Sequence, residues 1–182
     1  MKKLLLLTLT ACCLTFAFSC KKKKIYDPDA EPGLPPISAE GANTFGLMFG
    51  KEVWIPNVLS LPALSANYGA PFGTPSRLYI VCNRKSNRTN GIDGFTLQYF
   101  SSDISPGTYP LNNQTCKVLV YLSYPENKTR EFQLDDVGRI IFSRWDLGNK
   151  VASGTFSMTL KDVVSGEKVL VTEGRFDVKF NN

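Results

Sequence analysis

From Gly41 to the end of the chain, apolar and polar residues alternate with a period of two, in short runs cut by glycine, proline and asparagine. No long stretch carries a helical period, so the pattern specifies half-buried antiparallel strands. Runs 44–49 and 52–55 flank Gly50-Lys51, a tight hairpin, and 77–84 and 94–101 flank a polar loop containing Asn90-Gly91. Pro106-Gly107 suits a turn. Strands are then predicted at 117–124, 129–134, 139–145, 154–160 and 168–180. Roughly nine strands over 41–182 read as an all-β antiparallel β-sandwich, with a closed, lipocalin-like β-barrel as the alternative. A domain of about 140 residues buries about two thirds of its unfolded surface, enough to fold without metal or crosslink. The last run alternates cleanly: Phe176, Val178 and Phe180 are expected in the core, and Arg175, Asp177 and Lys179 in solvent. Gly154 and Gly174 interrupt strand patterns, where glycine marks a bulge or a close backbone approach.

The first 24 residues have a different character. Lys2-Lys3, an uncharged run over 4–19, and Cys20 stand directly before Lys21, Lys22, Lys23 and Lys24. A charged start, a short apolar run and small residues near the cut form a secretory signal, and a cysteine at the boundary is a lipid attachment point. The run contains threonines and is shorter than the 18 or so apolar residues that a spanning helix needs. The reading is therefore a lipoprotein signal over 1–19 with lipidation at Cys20; ordinary cleavage and secretion is the rival. Ser19 fits a lipoprotein cleavage site, whereas Ala17 and Phe18 depart from its commonest form. Residues 25–40 turn to proline and acid, a linker favouring extended polyproline conformation. Its Asp27, Asp29 and Glu31 lack the ligand order and glycine of a calcium loop.

The overall balance of 21 Lys+Arg against 16 Asp+Glu is misleading for the domain. Two of the lysines are in the signal and four follow Cys20, which leaves 15 basic against 16 acidic residues from Ile25 onward. This excludes a basic surface seeking nucleic acid. Lys21–Lys24 instead sit where a lipidated Cys20 would place them, at the headgroups of anionic lipid, with each residue adding about 1 kcal/mol of attraction.

Of five cysteines, Cys12, Cys13 and Cys20 belong to signal and anchor. Cys82 and Cys116 remain, both on the apolar parity of strands. Two buried thiols are the favoured reading, and a disulfide between them, which an oxidising compartment permits, is the alternative. Trp54 and Trp145 are read first as core or edge packing, with stacking on a ligand such as a sugar as the alternative. The chain has no histidine. That removes the commonest general base, the Ser-His and Cys-His pairs and most transition-metal sites. A carboxylate pair for glycoside hydrolysis would have to come from Asp103, Asp135, Asp136, Asp146 or Asp177, and no spacing brings two of these together. No catalytic, cofactor or metal residues are assigned.

Several strings resemble an uncharacterised lipoprotein domain family of Bacteroidota type. They are Leu34-Pro35-Pro36; Gly41-Ala42-Asn43-Thr44-Phe45-Gly46; Gly50-Lys51-Glu52-Val53-Trp54-Ile55-Pro56; Gly138-Arg139-Ile140 followed by Asp146; Ala152-Ser153-Gly154-Thr155-Phe156; and Glu173-Gly174-Arg175-Phe176-Asp177-Val178. The resemblance spans 34–180 and implies an all-β extracytoplasmic domain anchored in the cell envelope, at the outer membrane, with no reaction or ligand attached. The chain departs from it at Leu47, where relatives often carry cysteine. It departs also at Lys21–Lys24, where surface export goes with acidic residues, and this favours the periplasmic side. The functional expectation is a lipid-anchored binding or interaction module without catalysis, its partner an envelope protein or a glycan. A carrier of small hydrophobic ligands in a barrel is the alternative, and a glycan-active enzyme ranks last.

Overall fold

The computed structural model describes residues 33–58, 62–70, 75–126, 128–135 and 138–181. The signal over 1–19, Cys20, Lys21–Lys24 and the acidic part of the linker lie outside the described residues, as does Asp136. Among the described residues the chain forms eleven strands: β1 (Thr44–Phe49), β2 (Glu52–Trp54), β3 (Leu64–Gly69), β4 (Arg77–Lys85), β5 (Ile92–Phe100), β6 (Gly107–Leu111), β7 (Cys116–Tyr124), β8 (Lys128–Leu134), β9 (Gly138–Asp146), β10 (Val151–Asp162) and β11 (Lys168–Lys179).

The long strand β10 divides the fold into layers. β11 runs along one of its edges from Val151 to Lys161. Along the other edge, β9 takes Val151 to Ser157 and β8 takes Leu160 to Asp162. The path β2-β1-β11-β10-β8-β7-β5-β4-β3 is antiparallel throughout, with β9 and β6 joined to the first half of β10. Among the described residues no ladder joins the ends β2 and β3, so the sheet is a sandwich and not a closed barrel. The seam is fastened locally. At one end Asn181, beyond β11, donates to Ala66 O (3.0 Å) and accepts from Tyr68 N (2.8 Å). At the other, Asn57 N donates to Asn83 O (3.2 Å) and Arg84 donates to Val53 O (3.2 Å).

Aromatic rings fill the space between the layers. Phe95 of β5 meets Phe45 of β1 (centroids 5.5 Å) and Phe156 of β10 (6.0 Å), and Phe176 of β11 meets Phe142 of β9 (5.7 Å). Such pairs contribute roughly 0.5–1.5 kcal/mol each beyond the burial of area. Phe176, Val178 and Phe180 are buried, as the alternation requires.

The structure departs from the sequence reading in three respects. There are eleven strands because β3 and β6 carry weak patterns: β3 buries only Ala66, and β6 contains Pro110, which demotes a run to an edge. Gly107 opens β6 instead of turning the chain. Arg175 and Asp177 are not solvated: they are 3% and 1% exposed, because residues 34–42 lie over their face of β11. Lys179 is exposed, as expected. Cys82 and Cys116 are free thiols. Cys82 pairs with Phe95 and Cys116 with Tyr99, so they lie on opposite sides of β5 and four residues apart along it. That offset alone is roughly 13 Å, beyond the ~7 Å a disulfide permits between Cα atoms.

Burial pushes both thiols up, Cys116 to about 12. In the folded protein at neutral pH neither should react with a thiol reagent over hours, and both should react in denaturant; rapid labelling of either under native conditions would contradict the packing. Phe176→Ala should cost about 3–5 kcal/mol and Lys179→Ala less than about 0.5 kcal/mol, read from urea midpoints.

Candidate functional site

Residues 34–42 form a strap over the outer face of β1 and β11. Pro35 and Pro36 cannot donate to a ladder, so the segment lies on the sheet instead of joining it, and side chains must satisfy its backbone. Asp177 does most of this. Its carboxylate accepts from Glu40 N (3.1 Å), Gly41 N (2.7 Å) and Ala42 N (3.0 Å), and from the hydroxyls of Ser153 (2.6 Å) and Ser38. Arg175 donates to Pro35 O (3.2 Å), and Arg144 donates to Ala39 O (2.7 Å). Asn43 accepts from Lys179 N (2.8 Å) through its side-chain oxygen. Leu34 is buried, and both Leu34 and Pro35 pack on Gly46, where an added Cβ would come within 2.7 Å of Pro35.

Burial tends to raise the Asp177 pKa, but the hydroxyls of Ser153 and Ser38 and the amides of Ala42 and Gly41 outweigh it and hold the carboxyl below its ordinary value. Asp146 is also held low, by Arg144 (2.7 Å) and by both nitrogens of Asn149 (2.8 Å each). It shapes the β9–β10 turn and keeps Arg144 aimed at the strap.

Two glycines make room for this arrangement. A Cβ on Gly154 would fall 2.0 Å from Ile141 O, where the β9–β10 register shifts, and one on Gly174 would fall 2.5 Å from the Phe156 ring. Beside Gly174 the β10–β11 and β1–β11 registers shift together, and Glu173 takes φ +52° at this bulge. A non-glycine residue there stores of order 1 kcal/mol of strain. Its carboxylate meets Arg175 at 2.7 Å, orienting the guanidinium that holds Pro35.

A groove of about 290 Å³ opens beside the strap, between Ile37 and the outer face of β9, β10 and β11. Arg139, Ser157 and Thr172 lie across its floor on adjacent strands, with Ile141 and Thr155 behind them. Arg139 is exposed, and its side chain makes no hydrogen bond or ion pair among the described residues. It is a free cation beside hydroxyl groups, suited to polar or anionic groups on a partner.

A second charged cluster belongs to the seam. Asp93, fully buried, accepts from Arg84 (3.1 Å), Arg88 (3.2 Å) and Ser123 N (2.8 Å), and Glu52 bridges Arg84 (2.5 Å) and Arg88 (2.8 Å). Removing one partner of such a buried pair costs several kcal/mol. These charges are mutually satisfied and fasten β2 to β4 and β5.

The two stacking candidates both lie in packing positions. Trp54 is fully buried between Phe45 (6.1 Å) and Phe95 (5.9 Å), with Arg84 over its ring, and so offers no face to a ligand. Trp145 is half-buried and stacks on Phe180 (5.2 Å), with Tyr68 edge-on at 4.8 Å. Both are packing residues. Among the candidate carboxylates, Asp135 pairs with Lys168 (2.6 Å), Asp103 is exposed, and β10 separates Asp146 on β9 from Asp177 on β11. By contrast, the motif strings Leu34-Pro35-Pro36, Gly41–Gly46, Gly138-Arg139-Ile140, Ser153–Phe156 and Glu173–Asp177 converge on the strap and its groove. Sequence reasoning missed this because Arg175 and Asp177 occupy the outward parity. No protein-family model, curated protein or solved structure matches the chain.

Asp177→Ala should destabilise the domain by about 3 kcal/mol, since three amides and two hydroxyls lose a charged acceptor. Because the folded pKa is lowered, the contribution is complete above the unfolded value of about 4 and is lost as pH falls through the lower folded value. Urea midpoints for wild type and variant should therefore converge as pH drops below about 4; a constant difference would show that the charge is immaterial.

Proposed function

We propose that this chain is a lipid-anchored binding or interaction module of the cell envelope, without catalysis, that presents the groove beside the strap to an envelope protein or a glycan. The observation that carries this reading is the fastening of 34–42 by Asp177, Arg175 and Arg144, next to the exposed Arg139 and Ile37. A segment leading to a tether is thereby made part of the rigid domain, and one wall of the groove is the strap itself. Cys20 would carry the lipid, and Lys21–Lys24 would add attraction to anionic headgroups, since one acyl chain alone holds only marginally.

The filled core supports this reading over a carrier of small hydrophobic ligands, which needs an open apolar interior. The separate hydrogen-bond duties of Asp146 and Asp177 support it over a glycosidase, whose two carboxylates must face one substrate.

Cys20→Ala should move the full chain from the membrane to the soluble fraction after signal cleavage; retention at the wild-type level would overturn the anchor. Arg139→Glu, on an exposed side chain, should leave the urea midpoint within about 0.5 kcal/mol. It should nevertheless abolish retention of whatever envelope component copurifies with wild type from solubilised membranes. Equal retention by both proteins would remove the groove from the contact face.

A further inference from the structure

The β10–β11 hairpin ends in Val163 and Val164, which are 49% and 91% exposed. An apolar tip is often mobile, but this one is braced. Asp162, itself buried, accepts from Val164 N (2.9 Å), Ser165 N (2.7 Å) and Arg130 (2.6 Å), and Arg130 also binds Glu167 (2.6 Å). Val163 N donates to Glu131 O (2.9 Å). The two valines are therefore held out in water by a satisfied network in which one guanidinium serves two carboxylates, and Lys161 and Lys168, paired across the hairpin, lie just behind them.

The tip lies at the end of the domain from which the chain departs toward Cys20. Going backward, the strap passes from Gly41, beside Val151 and Lys179, to Gly33, beside Val53. Val53 pairs with Met48, and Met48 with Thr172, so this is the end that carries the 50–51 turn and the β10–β11 hairpin. From the level of Thr172 the tip is five to six residues further on, roughly 17–20 Å. The 13 or so residues from Cys20 to Gly33 can span roughly 40 Å. A tether anchored in the bilayer is thus long enough to let the tip reach the lipid surface.

We propose that Val163 and Val164 insert into the membrane interface and dock the tethered domain on the bilayer. This rests on the lipid anchor at Cys20 proposed above. Two valines are too few to hold a free protein on a membrane. Tethering makes the contact intramolecular, so a weak contact can suffice where the linker's reach matches the distance to be spanned. Docking would fix which way the groove beside the strap faces, although no groove residue takes part in it.

The test uses the full lipidated chain reconstituted in phosphatidylethanolamine–phosphatidylglycerol vesicles containing lipids brominated near the headgroup end. The indole introduced by Val164→Trp should be quenched by the brominated lipids beyond the wild-type background of Trp54 and Trp145. That introduced by Leu147→Trp, at the exposed β9–β10 turn of the opposite end, should not be. Equal quenching at the two positions, or none at position 164, would overturn docking. Shielding of the indole at position 164 from iodide without bromolipid quenching would assign the tip to a protein contact and overturn it too. Flotation of the same samples separates the two ideas: a Val164→Trp chain that floats with its new indole unquenched refutes docking alone, and a chain that does not float refutes the anchor and docking with it.

Discussion

One carboxylate organises the half of this fold that carries the strap. Asp177 points outward from a strand whose next residues on either side, Phe176 and Val178, face the core, and it would ordinarily be a solvated surface charge. Here it is covered by residues 34–42, and it accepts hydrogen bonds from three of their amides and from the hydroxyls of Ser38 and Ser153. The strap cannot enter the sheet because of its prolines, so without this acceptor the buried Gly41 amide would be orphaned and the part-buried amides of Glu40 and Ala42 would lose their partner. Arg175 and Arg144 then hold carbonyls of the same segment, so the strap is fixed by anion and cation together.

The layers beneath it are held by different physics. β10 gives one edge to β11 and divides the other between β9 and β8, and this division lets one continuous sheet fold into two packed faces. Phe45, Phe95, Phe156 and Phe176 fill the gap. The unclosed seam is held by the buried Asp93 network and by the backbone contacts of Asn181. The interior is occupied by rings, and the groove beside the strap is a surface that the strap itself shapes.

Much of the fold was legible in the sequence because strand alternation survives in the nine runs with a strong apolar face. β3 and β6 were not, since Ala66 alone is buried in the first and Pro110 interrupts the second. The roles of Gly154 and Gly174 were readable as close approaches, which they are. The site was less legible for a physical reason: period two tells which way a side chain points, but not whether a distant segment will cover it. Arg175 and Asp177 have the parity of solvent and the environment of a core. Trp54 and Trp145 are packing residues, the reading their size and strand positions favoured, with rings of neighbouring strands against both. Cys82 and Cys116 share a parity, yet pair with β5 four residues apart.

The strap is thus an integral part of the folded domain and not the frayed end of a linker. Native-state hydrogen exchange at the Gly41 and Ala42 amides tests this most directly. Both should exchange only with global unfolding, with the same dependence on denaturant as the Phe176 and Val178 amides of β11. Exchange at rates near those of an unprotected peptide, while Phe176 and Val178 remain protected, would contradict it.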